Sequence, residues 1–321
     1  MFFNFLSRFI RKEPEQHLID FMPEVRGELK KDFSLAKQTW FGVGGSAEVF
    51  FIPQDAEDLA HFLSGTQNLP LTILGCGSNV LIRDGGIPGI VIKLGKAFSY
   101  VKVEGNDIIC GAGTRNGEIA KAAMEAGLSG LEFLTGIPGN IGGSAKMNAG
   151  AAGSDISKIL KSAVMIDNFG FTHHLGREDF IFNYRDTTIP AGWIFTEITL
   201  SGTPEDKSKI AETMNNLRTQ RLETQPTNVK TAGSTFRNPE GLSAWKLIDK
   251  AGCRGMRVGG AMVSEKHCNF IINTGNATAN DIEQLGEEIR LRVMENSGID
   301  LKWEIRRMGV KSPAQSTFGG R

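Results

Sequence analysis

Four short segments could do chemistry through bare backbone: FGVGGSA (41–47), LGCGSNVLIRDGG (74–86), CGAGTRNGE (110–118) and LTGIPGNIGGSAKMNAGAAGSD from 134. In the second, Gly75 and Gly77 flank one small residue directly after an apolar run, and Ser78 and Asn79 add a hydroxyl and an amide. Successive N–H groups freed of side-chain bulk make a nest for an anion without any lysine. In the last segment Gly136, Gly139, Gly142 and Gly143 leave the backbone open, Pro138 fixes the turn, and Met147 and Asn148 offer an apolar contact and a hydrogen bond. A Walker A loop needs a Gly-Lys-Ser/Thr triplet, which is absent; GCGSNV and GAGTRN both lack the third glycine of a Rossmann fingerprint. For one loop alone, tight turns in a glycine-rich sheet protein explain the pattern as well. Several such loops at successive strand ends fit one long ligand better, and an extended dinucleotide is the natural candidate. Spacing by itself does not choose flavin over nicotinamide.

The other reactive residue types offer less. Cys76, Cys110, Cys253 and Cys268 show no CxxC spacing, which fits free thiols in a reducing compartment. His173 and His174 are adjacent, so a strand would turn them to opposite faces; no metal site is expected. Lys plus Arg equals Asp plus Glu at 36 each, giving no general attraction to nucleic acid. No apolar run reaches the ~18 residues of a membrane span. The opening MFFNFLSRFIRK has its basic residues late, unlike a secretory signal, and reads as an amphipathic helix or a weak surface contact. A cytoplasmic protein is expected.

These loops need elements to hold them. Short β-like runs at 48–52, 71–75, 89–94, 107–111, 162–167 and 193–202 are separated by glycine-bearing turns. Helices are expected at 55–65 and 117–127, the second burying Ile119, Ala122, Ala123 and Ala126 and stopping at Gly127. From about residue 204 the character changes. A charged helix ends before Pro226, SAWKLIDKAG follows at 243–252, CNFIIN reads as a strand, and 279–298 is a strong helix with Ile282, Leu285, Ile289, Val293 and Met294 in phase. LKWEIRRMG, from 301, gives a last strand. Length and this change of character together predict more than one domain.

TWFGVGG, LGCGSNVL, GIPGNIGGSAKMNAGAAG, NYRDT, AGSTFRNP, AWKLIDKAGCRG, GGAMVSEKHCNFIINTGNATANDI and WEIRRMG occur in that order. Together they closely resemble the UDP-N-acetylenolpyruvoylglucosamine reductase family, from about residue 34 to 309. The resemblance implies an α+β chain with a vanillyl-alcohol-oxidase/PCMH-type FAD-binding fold of two subdomains (about 34–98 and 99–203) after an N-terminal extension (1–33). A C-terminal α+β substrate-binding domain (204–303) would follow, then a strand and tail (304–321) returning to the FAD region. The short NYRDT–WIFTEITL and AGSTF–SAWKLIDKAG connections resemble the shorter form of the family, which lacks an extra loop over the substrate.

The implied reaction belongs to peptidoglycan precursor synthesis. A hydride passes from NADPH to non-covalent FAD and on to the enolpyruvyl methylene carbon of UDP-N-acetylglucosamine enolpyruvate; protonation next door gives UDP-N-acetylmuramate. Three positions match the family's catalytic residues. Arg185 of NYRDT would stabilise the growing carboxylate charge. Ser234 of AGSTFRNP would donate the proton. Glu304 of WEIRRMG, between Trp303 and Ile305, would act with Arg185 around the substrate carboxylate, or polarise it when protonated. Outside the motifs these three would read as an Arg185–Asp186 surface pair, a turn serine and an exposed strand carboxylate. The cofactor would lie on Gly75, Gly77, Ser78, Asn79, Thr135, Gly136, Ile137, Pro138, Gly139, Gly142, Gly143 and Asn148. Lys246, Arg254, His267 and Asn269 would meet the diphosphate and uridine, with Arg257 more plausibly a surface charge. At most weak self-association as a homodimer is expected. A related oxidoreductase of the same fold acting on an alcohol or hydroxy acid is the nearest rival. Such enzymes often tether flavin through His or Cys, and 134–155 contains neither.

Overall fold

The computed structural model describes residues 16–313, so the reading of residues 1–12 as an amphipathic helix or surface contact lies outside the described residues. The elements run β1 (Glu28–Ser34), β2 (Ser46–Ile52), α1 (Ala56–Gly65), β3 (Leu71–Ile73), β4 (Val80–Ile82), β5 (Ile87–Ile92), β6 (Val101–Glu104), β7 (Asp107–Gly111), α2 (Asn116–Ala126) and α3 (Ile141–Lys146). Then come β8 (Leu160–Ile166), β9 (Thr172–Gly176), β10 (Ile181–Asn183), β11 (Asp186–Thr188), β12 (Ile194–Ser201) and α4 (Lys207–Thr224). The C-terminal part has α5 (Ala244–Lys250), β13 (Arg257–Val258), β14 (Ala261–Val263), β15 (Ile271–Asn273), α6 (Ala279–Ser297) and β16 (Arg306–Met308). Among the described residues no helix is long and apolar enough to cross a membrane.

Two sheets build the N-terminal two thirds. The first has the order β1-β2-β5-β3, with β1 antiparallel to β2 and β5 parallel to β2 and β3. Its core joins Val49, Phe51 and Ile90 to Leu59 and Phe62 of α1. Helix α1 starts where it does because the Asp55 carboxylate caps the Asp58 amide at 2.9 Å. The second sheet, β9-β8-β12-β7-β6, is antiparallel throughout and packs against α2 and α3 through Ile108, Ile119, Ala123, Ile141 and Ile198. On α2 the buried face is Ile119, Ala120 and Ala123; Ala126 is exposed, because the helix leans one position away from the expected stripe. Gly127 ends it in the left-handed region at φ 72°.

A third core gathers Phe236, Ile248, Ile271, Ile282, Leu285, Ile289 and Val293, and takes in Phe41, Val43 and Leu81 from the N-terminal half. The two parts are therefore joined by buried apolar surface. Met294 falls outside this core at 50 % exposed, since Val293 already fills the facing position. Helix α4 lies against α2 and the turn Glu132–Gly136, which leads into the glycine-rich stretch. The expected strand LKWEIRRMG is shorter than it reads. Only Arg306–Met308 forms a ladder, parallel to β4, while Trp303 makes a single bridge to Phe236.

Trp303 fixes a glycine in α6. A Cβ on Gly286 would stand 2.2 Å from Trp303 Cη2, so the indole lies directly over that helical turn. Gly286→Ala forces the ring out and is expected to cost about 2 kcal/mol by overpacking. A lower thermal midpoint than wild type checks this.

Candidate active site

The glycine-rich stretch splits into two parts with different work. In its first part, a Cβ on Gly143 would meet nothing within 4 Å, and one on Gly136 only Ala151 Cβ at 3.9 Å. Neither glycine has a positive φ, so neither packing nor backbone demands glycine there. Glycine in α3 even weakens the helix by about 1 kcal/mol relative to alanine. Open space beside bare backbone is what a flat cofactor requires, so these residues fit FAD. Gly139 (φ 131°) borders the same space, with the Ser78 hydroxyl, which donates to Pro138 O, 3.2 Å from its absent Cβ. Thr135, Ile137 and Pro138 flank it half-buried.

At two other expected cofactor glycines the missing side chain is also required by packing. Gly142 donates its N–H to Ala112 O at 2.9 Å, and an added Cβ would meet Ala112 Cβ at 3.0 Å. Gly77 sits at φ 70°, its absent side chain facing the Gln38 carbonyl at 2.1 Å. Gly75 is exposed, with only Asn140 Oδ1 within 4 Å of an added Cβ.

The second part, AKMNAG, holds a hairpin. Strands β10 and β11 pair Asn183 with Asp186, leaving Tyr184 and Arg185 as a two-residue tip. Ala145 O accepts from the Thr187 hydroxyl at 2.5 Å, Lys146 Nζ donates to Thr187 O at 2.9 Å, and Asn148 Nδ2 donates to Asn183 O at 3.1 Å. Asn148 Oδ1 accepts from Ser157 N–H, so this buried amide ties the hairpin to the segment before β8. Arg185 occupies the left-handed region at φ 59°, where glycine or asparagine is usual, and donates to Gly150 O at 2.9 Å. Its own neighbour Asp186 stands near Arg306 (3.7 Å), so no Arg185–Asp186 surface pair forms.

Arg185 meets Glu304. Its Nε lies 3.3 Å from Glu304 Oε1, and Arg237 Nε lies 3.5 Å from Oε2. Both Nε atoms and Oε2 are buried with no hydrogen bond. Burial holds the Glu304 carboxyl above its usual range, against the opposing effect of Arg185, Arg237 and Arg306. Glu304 is slung between two segments: its N–H donates to Thr235 O at 2.8 Å, and its carbonyl accepts from Asn79 Nδ2 at 3.3 Å. Asn79 thereby positions the carboxylate. Ser234 precedes Thr235, is half-buried, and its hydroxyl bonds to no group among the described residues.

The substrate candidates fare unequally. Asn269 is 3 % exposed; its amide grips Phe236 N–H (2.9 Å) and C=O (2.8 Å), while its own carbonyl takes Thr235 N–H. It braces the segment after Ser234. Arg254 is engaged by both oxygens of Asp249 at 2.9 Å and by Glu265 O, so it is also spent. His267 is pushed below its usual range, chiefly by burial, and its ring meets Phe270 edge-on at 4.8 Å. Lys246 is exposed beside Trp245, and Arg257 is exposed on β13. Two residues were missed from sequence. Arg237 lies three positions after Ser234 in the same motif, a signal that could have found it. Arg221 of α4 donates to Gly136 O at 3.0 Å and pairs with no carboxylate among the described residues. Asp167 holds His173 at 2.9 Å, and the described residues contain no metal-ligand cluster.

Residues 225–308 match the family model described as UDP-N-acetylenolpyruvoylglucosamine reductase, C-terminal domain, and residues 47–176 match an FAD binding domain. The chain is 52% identical over 295 residues to the UDP-N-acetylenolpyruvoylglucosamine reductase of Parvibaculum lavamentivorans, covering 92% of this chain and 95% of that one. It is 51% identical over 299 residues to that of Rhodospirillum rubrum, covering 91% and 94%. The crystal structure of UDP-N-acetylenolpyruvylglucosamine reductase from Thermus caldophilus matches with a TM-score of 0.78 at 36% identity, over 89% of this chain and 100% of that one. Glycines that neither packing nor backbone needs, a carboxylate held between arginines, and near full-length identity point one way: the chain belongs to the UDP-N-acetylenolpyruvoylglucosamine reductase family, FAD-dependent oxidoreductases with the vanillyl-alcohol-oxidase type of cofactor fold.

Proposed function

We propose that the chain reduces UDP-N-acetylglucosamine enolpyruvate to UDP-N-acetylmuramate, with NADPH as reductant. Bound FAD supplies the redox chemistry, taking two electrons from NADPH and returning them to the enolpyruvyl double bond. The chain's own residues do the rest. Gly136 and Gly143 leave room for the cofactor, and Arg221 brings a cation to their edge. Arg185 binds the substrate carboxylate, whose negative charge grows as the neighbouring carbon becomes enolate-like. Ser234 gives that carbon its proton. A serine alcohol is a weak acid, so the role suits only a strongly basic acceptor. Glu304 faces the same carboxylate beside Arg185. Residues 204–303 form the substrate side, where Lys246 keeps an ammonium free of ion pairs among the described residues. The observation that carries the reading is the buried group at Glu304: two guanidinium Nε–H donors face one carboxylate and neither is matched. That leaves charge and donors for a second carboxylate.

Ser234→Ala tests it. The variant is expected to bind FAD and lose its visible flavin bands on adding NADPH, because that half of the reaction needs no proton from Ser234. Adding the enolpyruvyl UDP-sugar without air then fails to restore the bands. Near-normal turnover in Ser234→Ala overturns the assignment.

A further inference from the structure

We propose that Arg237 is a positioning residue for this reaction: it holds the Glu304 carboxylate to one side, so that Arg185 is released to take the carboxylate of the substrate. The inference rests on the reading that Arg185 and Glu304 both act at the reacting carboxylate. Its starting point is the geometry. Glu304 offers one oxygen to each guanidinium, Oε1 toward Arg185 at 3.3 Å and Oε2 toward Arg237 at 3.5 Å. Neither contact is a completed hydrogen bond, and all the facing atoms except Oε1 are buried without a partner. A bidentate Arg–Glu pair would use up Arg185, since a planar guanidinium favours parallel hydrogen bonds to one carboxylate. Shared between two arginines, Glu304 commits fully to neither.

Charge supports the same division. Glu304 is faced by Arg185 from the β10–β11 hairpin, by Arg237 from the segment after Ser234, and by Arg306 on its own segment. Beyond Arg306 stand Asp186 at 3.7 Å and Lys146, whose ammonium is bonded to Thr187 O and feels both Asp186 and Arg306. The cluster holds four cations against two carboxylates, so an incoming anion is attracted. Without Arg237, Glu304 would fall back on Arg185, and the substrate carboxylate would compete with it for one guanidinium.

The experiment uses the FAD-loaded full chain carrying Arg237→Met, Arg237→Lys or Glu304→Gln, with kcat and KM for the enolpyruvyl UDP-sugar measured from pH 5 to 9. FAD content and thermal midpoint are recorded alongside. Arg237→Met is expected to raise KM about tenfold. The limb of the kcat/KM profile that depends on Glu304, identified by its absence in Glu304→Gln, moves up by about one pH unit, because removing a nearby cation favours the protonated acid. Arg237→Lys keeps the charge and recovers most of that limb. A methionine variant with the wild-type KM and pH profile overturns the proposal. If it does not retain FAD, Arg237→Gln takes its place under the same criteria. Failure of the underlying reading is separate: Glu304→Gln would then turn over at the wild-type rate whatever Arg237 does.

Discussion

Arg185→Met is expected to lower kcat by a factor of about 10² to 10³, the loss usual when a buried donor aimed at developing charge is removed. The side chain is long, buried near its Nε, and aimed by a hairpin fixed through Ala145, Lys146 and Asn148. Methionine keeps much of the volume and none of the charge. The backbone gives a second, independent readout. At φ 59° a non-glycine residue is strained by about 1 kcal/mol or more. Arg185→Gly should therefore be as inactive as Arg185→Met yet more stable than it by about 1 kcal/mol in denaturant unfolding. The sequence accepts local strain to place a guanidinium at a turn tip. An Arg185→Met enzyme within tenfold of wild-type turnover contradicts this account.

The largest stability effect is expected at Glu283. Its carboxylate receives Arg83 in bidentate fashion at 2.8 and 2.9 Å and Arg307 at 3.1 Å, while Arg83 also donates to Gly309 O. The group is 7 % exposed and ties α6 to the β4–β16 pair. Glu283→Ala leaves the partly buried Arg83 guanidinium without its anion, while Arg307 keeps Glu287 at 2.7 Å, at a cost of about 3 kcal/mol in urea unfolding at pH 7. The Arg83 hydrogen bonds hold the Glu283 carboxyl below its usual range, against the opposing effect of burial. A depressed folded pKa stabilises the protein above the unfolded value of about 4.3, and that contribution disappears as pH falls through the folded value. The gap between wild type and variant should therefore narrow below about pH 4. A gap that stays constant to pH 3 would show that charge is not what Glu283 contributes.

Much of the architecture is legible because it is written locally. Asp55 before an amphipathic run, Gly127 and Gly298 after one, and the run of apolar and aromatic residues in SAEVFFI all act within a few residues. Strand β1 hides because ELKKDFS is a half-exposed edge whose pairing with β2 is a tertiary event. Helix α3 hides because two of its six residues are glycine, a choice the backbone does not explain. At the site, residue types were legible but allegiance was not. Asn148 and Asn269 look like ligand amides in sequence, and each is fully engaged in bracing a loop. Arg254 looks like a phosphate-binding cation and is held by Asp249, only five residues back. Arg237 acts through a glutamate far along the chain, a pairing that no local pattern encodes.

The pairing of β16 with β4 has a consequence for how the enzyme comes to exist during translation. Among the described residues, β4 has β16 as its ladder partner, and Arg83 and Gly309 are 226 positions apart. At roughly 5–20 residues per second, a ribosome needs on the order of 10 to 45 seconds to bridge that interval. Throughout it the ladder partner of Val80–Ile82 has yet to be made, and an unpaired strand edge is open to wrong neighbours. Glu304 arrives in the same late instalment as β16. The glycine loops between residues 41 and 143 are thus all synthesised long before the carboxylate that Arg185 and Arg237 face.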